Sequence, residues 1–309
     1  MNNTIVTACN RQYLWGVILL LASIRLNNGK CPIHIFSPDL KDHEVNILKQ
    51  FEDVTVFKST KIHPHMDKAK AILSADTDYV TWIDADCLFI GNLDSLLIPD
   101  HEGFQIRFRE TIENSQVFKQ HYNKGDVIGD IPENILKQWQ TDVNERLSPR
   151  TNRQCVSNFI SLHKKHLPFI NKWDHQLNHI QVNPEHPIDK QSTAYFMTDE
   201  SVLSSLLAYA YDRPNISPYK LNLYPKQYLM HFGETLKPWN TWRARHLKYY
   251  NYVVNLIGDL QRNNFSLPLL PQSLDNKFRQ RTHCFSLMAT SYLQLRSTLS
   301  NCLHARPLQ

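Results

Sequence analysis

Tyr79-Val80-Thr81-Trp82-Ile83-Asp84-Ala85-Asp86-Cys87-Leu88-Phe89 runs from an apolar, β-rich stretch straight into two carboxylates one residue apart. The apolar run predicts a buried strand over 79–83, and side chains at i and i+2 of extended chain point to one side. Both acids then emerge at the carboxyl end of the strand, where open α/β sheets bind ligands. A hard divalent cation takes oxygen ligands and keeps positions for phosphate oxygens. Asp84 and Asp86 therefore point to a metal and a diphosphate. An Asp-Xaa-Asp tripeptide is also frequent in plain polar turns, so its weight depends on what surrounds it.

Working outward, the chain before the pair alternates strand and helix signals. Thr4 to Ala8 reads as a strand, and Gln12 to Leu26 as a helix apolar around most of its circumference, stopped by Asn27-Asn28-Gly29. Strands follow at Pro32 to Phe36 and Val54 to Phe57, with a helix at Lys41 to Gln50 between them; a further helix at Lys68 to Leu73 leads into the acidic strand. This alternation implies an open, mostly parallel sheet covered on both faces. After the pair, a short helix at Leu93 to Leu97 and a strand at Phe104 to Phe108 are expected. Glu110 to Arg153 reads as a loop-rich excursion with helical character near Ile135 to Trp139. Cys155 to Leu162 is strand-like and Gln181 to Thr193 loose. A helix at Glu200 to Tyr209 is capped by Thr198 or Asp199, and short strands are expected at Leu221 to Leu223 and Tyr228 to Phe232.

With 309 residues the chain can build one large α/β domain with an appendage. Six cysteines lie scattered without a Cys-Xaa-Xaa-Cys pair, which fits reduced thiols in a cytoplasmic protein. The run Val17 to Ala22 is too short to span a bilayer, and no signal-peptide pattern opens the sequence. Charge is unevenly placed. From Asn240 onward nine Lys or Arg stand against two acids, a segment charge of +7 that leaves the first 239 residues at −2. A basic tail with Trp239, Trp242, Tyr249, Tyr250 and Tyr252 suits peripheral contact with an anionic membrane face or a solvated helical surface. Nucleic acid is not expected, because no reading motif accompanies the charge.

Met230-His231-Phe232-Gly233-Glu234-Thr235-Leu236-Lys237-Pro238-Trp239 is the second informative run. His231, at a strand end, offers an imidazole to the cation of the acidic pair, which favours Mn2+ over Mg2+. Lys237 can reach a diphosphate. At about 4 Å and an effective dielectric of about 20, one such charge contributes on the order of 4 kcal/mol, roughly a thousandfold in rate.

Together these segments resemble the glycosyltransferase family that includes glycogenin and the bacterial lipopolysaccharide galactosyl- and glucosyltransferases, family 8-like enzymes of the metal-dependent GT-A fold. The likeness covers most of the first 240 residues. Ile5-Val6-Thr7-Ala8-Cys9-Asn10-Arg11-Gln12-Tyr13 is similar to the family's opening strand and nucleotide loop. The resemblance implies donor contacts from Thr7, Ala8 and Asn10, with Tyr13 stacked on the base. It further implies a basic contact from Lys68, an Asp-Xaa-Asp site at Asp84, Ala85 and Asp86, and a His-to-Lys-Pro-Trp ending that brings His231, Gly233 and Lys237 to metal and diphosphate. Three departures stand out. Gly233 comes one place early, with Glu234 in its stead; Val156-Ser157-Asn158-Phe159 replaces a small-residue turn; and Asp199-Glu200 occupies the place of an Asp-Gln pair.

The chain is thus expected to divide into a nucleotide-sugar-binding catalytic domain at 1–240 and a basic, mostly helical segment at 241–309. The resemblance implies a retaining hexosyltransferase that uses a UDP-sugar, glucose or galactose, on a glycan, lipid-linked glycan or protein acceptor. Asp199, Glu200 and Lys237 are the expected catalytic residues. Glu200 is either a nucleophile or an acid stabilised at a helix N-terminus. The competing readings are a sugar-nucleotide nucleotidyltransferase, whose Gly-rich loop is missing after the first strand, and a non-catalytic sugar-nucleotide binder.

Overall fold

A computed structural model describes residues 2–304 apart from 28, 62, 92–96, 123–130, 147, 181–193, 218–227 and 234–235. Four strands pair in parallel: β1 (Asn3–Ala8) lies between β2 (Ile33–Ser37) and β4 (Tyr79–Ile83), and β3 (Val54–Lys58) extends β2. On the other side of β4, β7 (Cys155–His163) runs antiparallel, followed by β6 (Phe104–Phe108) and the short β8 (Ile216–Ser217). The sheet order is β3-β2-β1-β4-β7-β6-β8. Four of the six neighbouring pairs in this order are parallel, which is the mostly parallel α/β architecture expected.

From β1 the chain winds outward through β2 and β3, then returns to place β4 against the opposite edge of β1. That reversal is a topological switch point, and open sheets hold ligands in the crevice beside it. The carboxyl ends of β1 and β4 lead directly to Asn10 and Asp84. A separate two-stranded sheet pairs β5 (Cys87–Phe89) with β9 (Leu229–His231), matching Cys87 to the distant His231.

Helix α1 (Leu14–Leu26) is buried from Leu14 to Ile24, as befits a helix that is apolar all round. It shares a core with β5, β9 and helix α8 (Tyr250–Arg262), whose Val253, Leu256, Ile257 and Leu260 pack inward. Ser23 of α1 accepts the Phe89 backbone N–H at 3.0 Å, tying the small sheet to the helix. On the opposite face, α3 (Lys68–Leu73), α5 (Glu133–Val143), α6 (Leu167–His179) and α7 (Asp199–Tyr209) enclose a second core with Trp82, Trp139 and Trp173. Two shorter or later helices, α2 (Asp42–Leu48) and α9 (Arg279–His304), complete the described set with α4 below.

The strands of the first half and α3 fall where the sequence places them. The stretch 110–153 does so only in part. It contains α5 where helical character was expected near Ile135 to Trp139, and also α4 (Thr111–Tyr122), so among the described residues much of the expected loop-rich excursion is helical. Its helices bury few side chains: Phe118 wedges edge-on against Phe196 at 5.4 Å, and Ile135 and Trp139 form a one-turn stripe. Such sparse anchors leave little apolar periodicity to read. Helix α6, for which no element was expected, buries Phe169, Ile170, Trp173 and Leu177 on one face, with Pro168 tolerated in its first turn. The expected helix at 93–97 apart from Leu97, the loose segment 181–193 and the strand at 221–223 lie outside the described residues. Cys9, Cys31, Cys87 and Cys155 are buried cysteines outside any disulfide, and Cys284 is an exposed one.

Candidate active site

The acidic pair does not continue the strand. Chain direction reverses at once: the Cys87 N–H donates to the Asp84 carbonyl at 3.0 Å, so Asp84 to Cys87 form a turn between β4 and β5. The two carboxylates are thereby handed to different partners. Asp84 Oδ1 accepts from Trp82 Nε1 at 2.7 Å and pairs with Lys68 Nζ at 3.1 Å. Asp86 pairs with Lys237 Nζ, and its Oδ1 lies 3.3 Å from His231 Nε2. The β5–β9 register delivers His231 to this place, since it sits opposite Cys87.

Lys68, at the start of α3, is the hub of the inner half. Its ammonium group contacts Asp84, Asp199 Oδ2 at 3.0 Å and Ser157 Oγ at 2.7 Å, and lies 5.4 Å from the centre of the Trp82 ring. Ser157 Oγ in turn donates to Asp199 Oδ2 at 2.9 Å. Burial alone pulls the Lys68 pKa down, but Asp199, Asp84 and Glu200 together outweigh it and hold the ammonium group charged. Glu200 is gripped at both oxygens, by Arg109 Nη2 at 2.7 Å and the Ser157 N–H at 3.0 Å. Both acids project from the first turn of α7, which starts after Thr198 at φ 44, a conformation that β-branched residues rarely adopt.

The outer half is built on Lys237. Its Nζ donates to Asp86 and, at 2.8 Å, to the Phe232 carbonyl, and stands 5.5 Å from the Tyr13 ring centre. Tyr13 meets Trp239 edge-on at 5.6 Å. Burial would push the Asp86 carboxyl up, yet His231 and Lys237 bring it well below the usual carboxylate range; the same pairing lifts His231 above its ordinary value against its own burial. Two glycines hold this corner together. A Cβ on Gly16 of α1 would lie 2.6 Å from both the Ala85 carbonyl and the Trp239 ring, and one on Gly233 would sit 3.0 Å from the His231 ring. Gly233 thus fits the His231 ring at the position where it stands.

Between the halves lies a cleft of about 270 Å³, lined by Ala8, Asn10, Tyr13, His65, Lys68 and Asp84 among others. The buried Asn10 Oδ1 and His65 Nε2 have no hydrogen-bond partner, and the same holds for Thr7 Oγ1. Such atoms normally find partners, so a polar ligand in the cleft is the physical expectation. A larger cavity of about 460 Å³ lies behind α1 near Arg25 and Leu256, away from this chemistry.

Asp86, Cys87 and His231 place one ligand atom each within 4.8 Å of one another, and Asp84 is not in that group. The oxygen and imidazole donors fit a divalent cation; the buried thiol, whose pKa is raised well above its usual value chiefly by burial, does not add a thiolate. Four carboxylates (Asp84, Asp86, Asp199, Glu200) face three fixed cations (Lys68, Lys237, Arg109); His231, whose pKa Asp86 raises, would have to lose its proton to ligate a cation, and one negative charge would then be left for that cation to offset.

Of the site residues expected from the sequence, Thr7 is fully buried in β1 and does not line the cleft, the others lie in or beside it, and Asp84 and Asp86 diverge where one shared ion was expected. Sequence reasoning missed Gly16, His65, Arg109, Ser157 and Trp82. Gly16 carried a readable signal, being a lone glycine inside a strongly apolar helix, and Trp82 stands two residues before its partner Asp84; Arg109 and Ser157 depend on pairings across long stretches of chain.

No family model and no curated protein matches the chain. Among solved structures, the glycosyltransferase GlyE of Streptococcus pneumoniae TIGR4 aligns at 13% identity and TM-score 0.50 over 86% of this chain and 64% of that one. Its apo form gives 13% identity and TM-score 0.50 over 87% and 65%. The galactosyltransferase LgtC, in complex with donor and acceptor sugar analogues, aligns at 14% identity and TM-score 0.46 over 90% of this chain and 99% of its own. The likeness to GlyE shows the fold alone: this chain has a GT-A-type α/β architecture, and it spans 64% of GlyE's length.

Proposed function

We propose that the cleft transfers a hexose, glucose or galactose, from a UDP-linked donor to a glycan, lipid-linked glycan or protein acceptor, with retention of anomeric configuration. The observation that carries this reading is the meeting, at the switch point of the sheet, of Asp86, His231 and Lys237 with Tyr13 and the Lys68–Asp84 pair. A sheet edge that gathers oxygen and imidazole ligands, a buried ammonium group and an aromatic ring suits a base, a diphosphate and a cation in one place.

Asp86 and His231, with Asp84 beside them, would hold the cation, Mn2+ by preference for the imidazole and Mg2+ as the alternative. When bound it supplies positive charge to the departing diphosphate. The chain's own contribution is electrostatic and positional. Lys237 presents its ammonium group from the diphosphate side, and Tyr13 offers a ring face to the base. Ala8 and Asn10 border the donor from the end of β1, while Lys68 holds Asp84 and Asp199 in place. As the bond from the anomeric carbon to the phosphate oxygen breaks, the acceptor oxygen bonds to that carbon and its proton passes to the departing phosphate. No protein base is then required. Glu200, tied through both oxygens to Arg109 and Ser157, acts as a positioning residue beneath the sugar in preference to a nucleophile.

Incubating the full chain with a panel of nucleotide sugars and Mn2+, and identifying products by mass spectrometry, tests this reading. Slow release of UDP from UDP-glucose or UDP-galactose is expected. Pyrophosphate from a nucleoside triphosphate would instead mark a nucleotidyltransferase, and no turnover of any donor a binding protein.

A further inference from the structure

Helix α9 packs against the body through a polar face and turns an apolar one outward. Thr282 and Ser286 are its buried positions, Thr290 Oγ1 accepts the Ala244 N–H at 3.0 Å, and His283 meets the Tyr250 ring edge-on at 5.4 Å. On the other side Phe285, Met288, Tyr292, Leu295 and Leu299 are 50%, 58%, 65%, 65% and 55% exposed. Their spacing is three, four, three, four. That is the a/d seam of a heptad repeat, which keeps an apolar stripe facing a partner helix. Off the seam lie Leu287, 55% exposed, and the half-buried Leu293.

We propose that this seam is the interface through which two copies of the chain form a twofold dimer, helix α9 against helix α9. Three features select a second copy. The stripe is narrow and in strict 3-4 register, whereas a helix lying in a lipid surface presents a broad apolar face rimmed by Lys and Arg. Between Phe285 and Leu299 the helix carries a single charged residue, Arg296, so the meeting of two seams brings few like charges together. The five side chains expose roughly 100 Å² each, so two copies bury on the order of 1,000 Å² from the seam alone, the lower bound for a specific interface. The seam lies outside the donor cleft and the dimer does not depend on the proposed reaction.

Sedimentation equilibrium of the full chain over a micromolar concentration range tests the proposal, with the double variant Tyr292→Glu, Leu295→Glu as comparison and flotation with phosphatidylcholine–phosphatidylglycerol vesicles as a second arm. The wild type is expected at twice the 36.2 kDa chain mass. The double variant is expected at one chain mass, with an unchanged circular dichroism spectrum. A wild type that sediments as a single chain would overturn the proposal. So would a dimer that survives the double substitution, or a wild-type monomer that floats with the anionic vesicles.

Discussion

Lys237 directs its charge to Asp86 and the Phe232 carbonyl, and a diphosphate would have to compete with both for it. Its expected value is therefore below the full unscreened figure. Lys237→Ala should lower kcat on a saturating donor by on the order of a hundredfold, about 3 kcal/mol, with steady-state UDP release as the measurement; an unchanged kcat would remove Lys237 from catalysis. Glu200 allows a sharper test, because an amide cannot form the glycosyl ester yet keeps one oxygen to accept from Arg109 or from the Ser157 N–H. Glu200→Gln should retain transfer within about tenfold if the side chain only positions, and a loss of several orders of magnitude with a trapped adduct in the wild type would make it the nucleophile. Arg109→Met leaves the half-enclosed Glu200 short of its cation. It should destabilise the fold by about 3 kcal/mol in urea titration.

At the scale of elements, α1 and the turn after β4 are one steric unit. Gly16→Ala would normally stabilise a helix interior by about 1 kcal/mol, but the added methyl meets a backbone carbonyl and an indole at once. The expected net result is destabilisation by about 2 kcal/mol, seen as a lower Tm, together with weaker donor turnover as the turn carrying Asp84 and Asp86 is displaced. The sequence was most legible where one element sufficed. β4 and α3 lie at the residues their pattern indicates, because a run of apolar residues or a short amphipathic turn is local information. The turn at Asp84 was not legible, since extended geometry was carried one residue too far, and the consequence was chemical: the two acids face different lysines. Helix α4 escaped because one large anchor, Phe118, does the packing that a long periodic stripe would otherwise advertise, whereas α6 carries a stripe, Phe169, Ile170, Trp173 and Leu177, that could have been read. The pairing of Cys87 with His231 lies in no local pattern; only the resemblance of the second motif pointed to it.

At the scale of the molecule, the segment after residue 240 is joined to the site through its core. Trp242 and Tyr250 are buried with α1, and His246 sits 5.3 Å from the Phe232 ring, next to the His231 strand. Burial, then Arg245 and Arg243, push His246 down from 6.5 to about 4. The unfolded chain therefore binds a proton between those values that the folded chain refuses. This share of stability is complete above about pH 6.5 and is lost as the pH falls through the window toward 4. His246→Gln keeps an acceptor for Arg245 Nε and has no proton to take up, so the difference in urea midpoint between pH 7 and pH 4.5 should shrink in the variant; an identical pH dependence would assign the loss elsewhere. Among the described residues no helix is long and apolar enough to cross a membrane. The cleft at the β1–β4 switch point stands at the centre of all these relations, and one experiment reaches it directly: UDP release from UDP-glucose and UDP-galactose with Mn2+, compared between the wild type and Asp86→Ala. Turnover in the wild type that falls at least a hundredfold in the variant, with its fold intact by circular dichroism, is the expected result. Equal rates in the two proteins, or no release by the wild type from any nucleotide sugar, would contradict a glycosyl-transfer site built on Asp86.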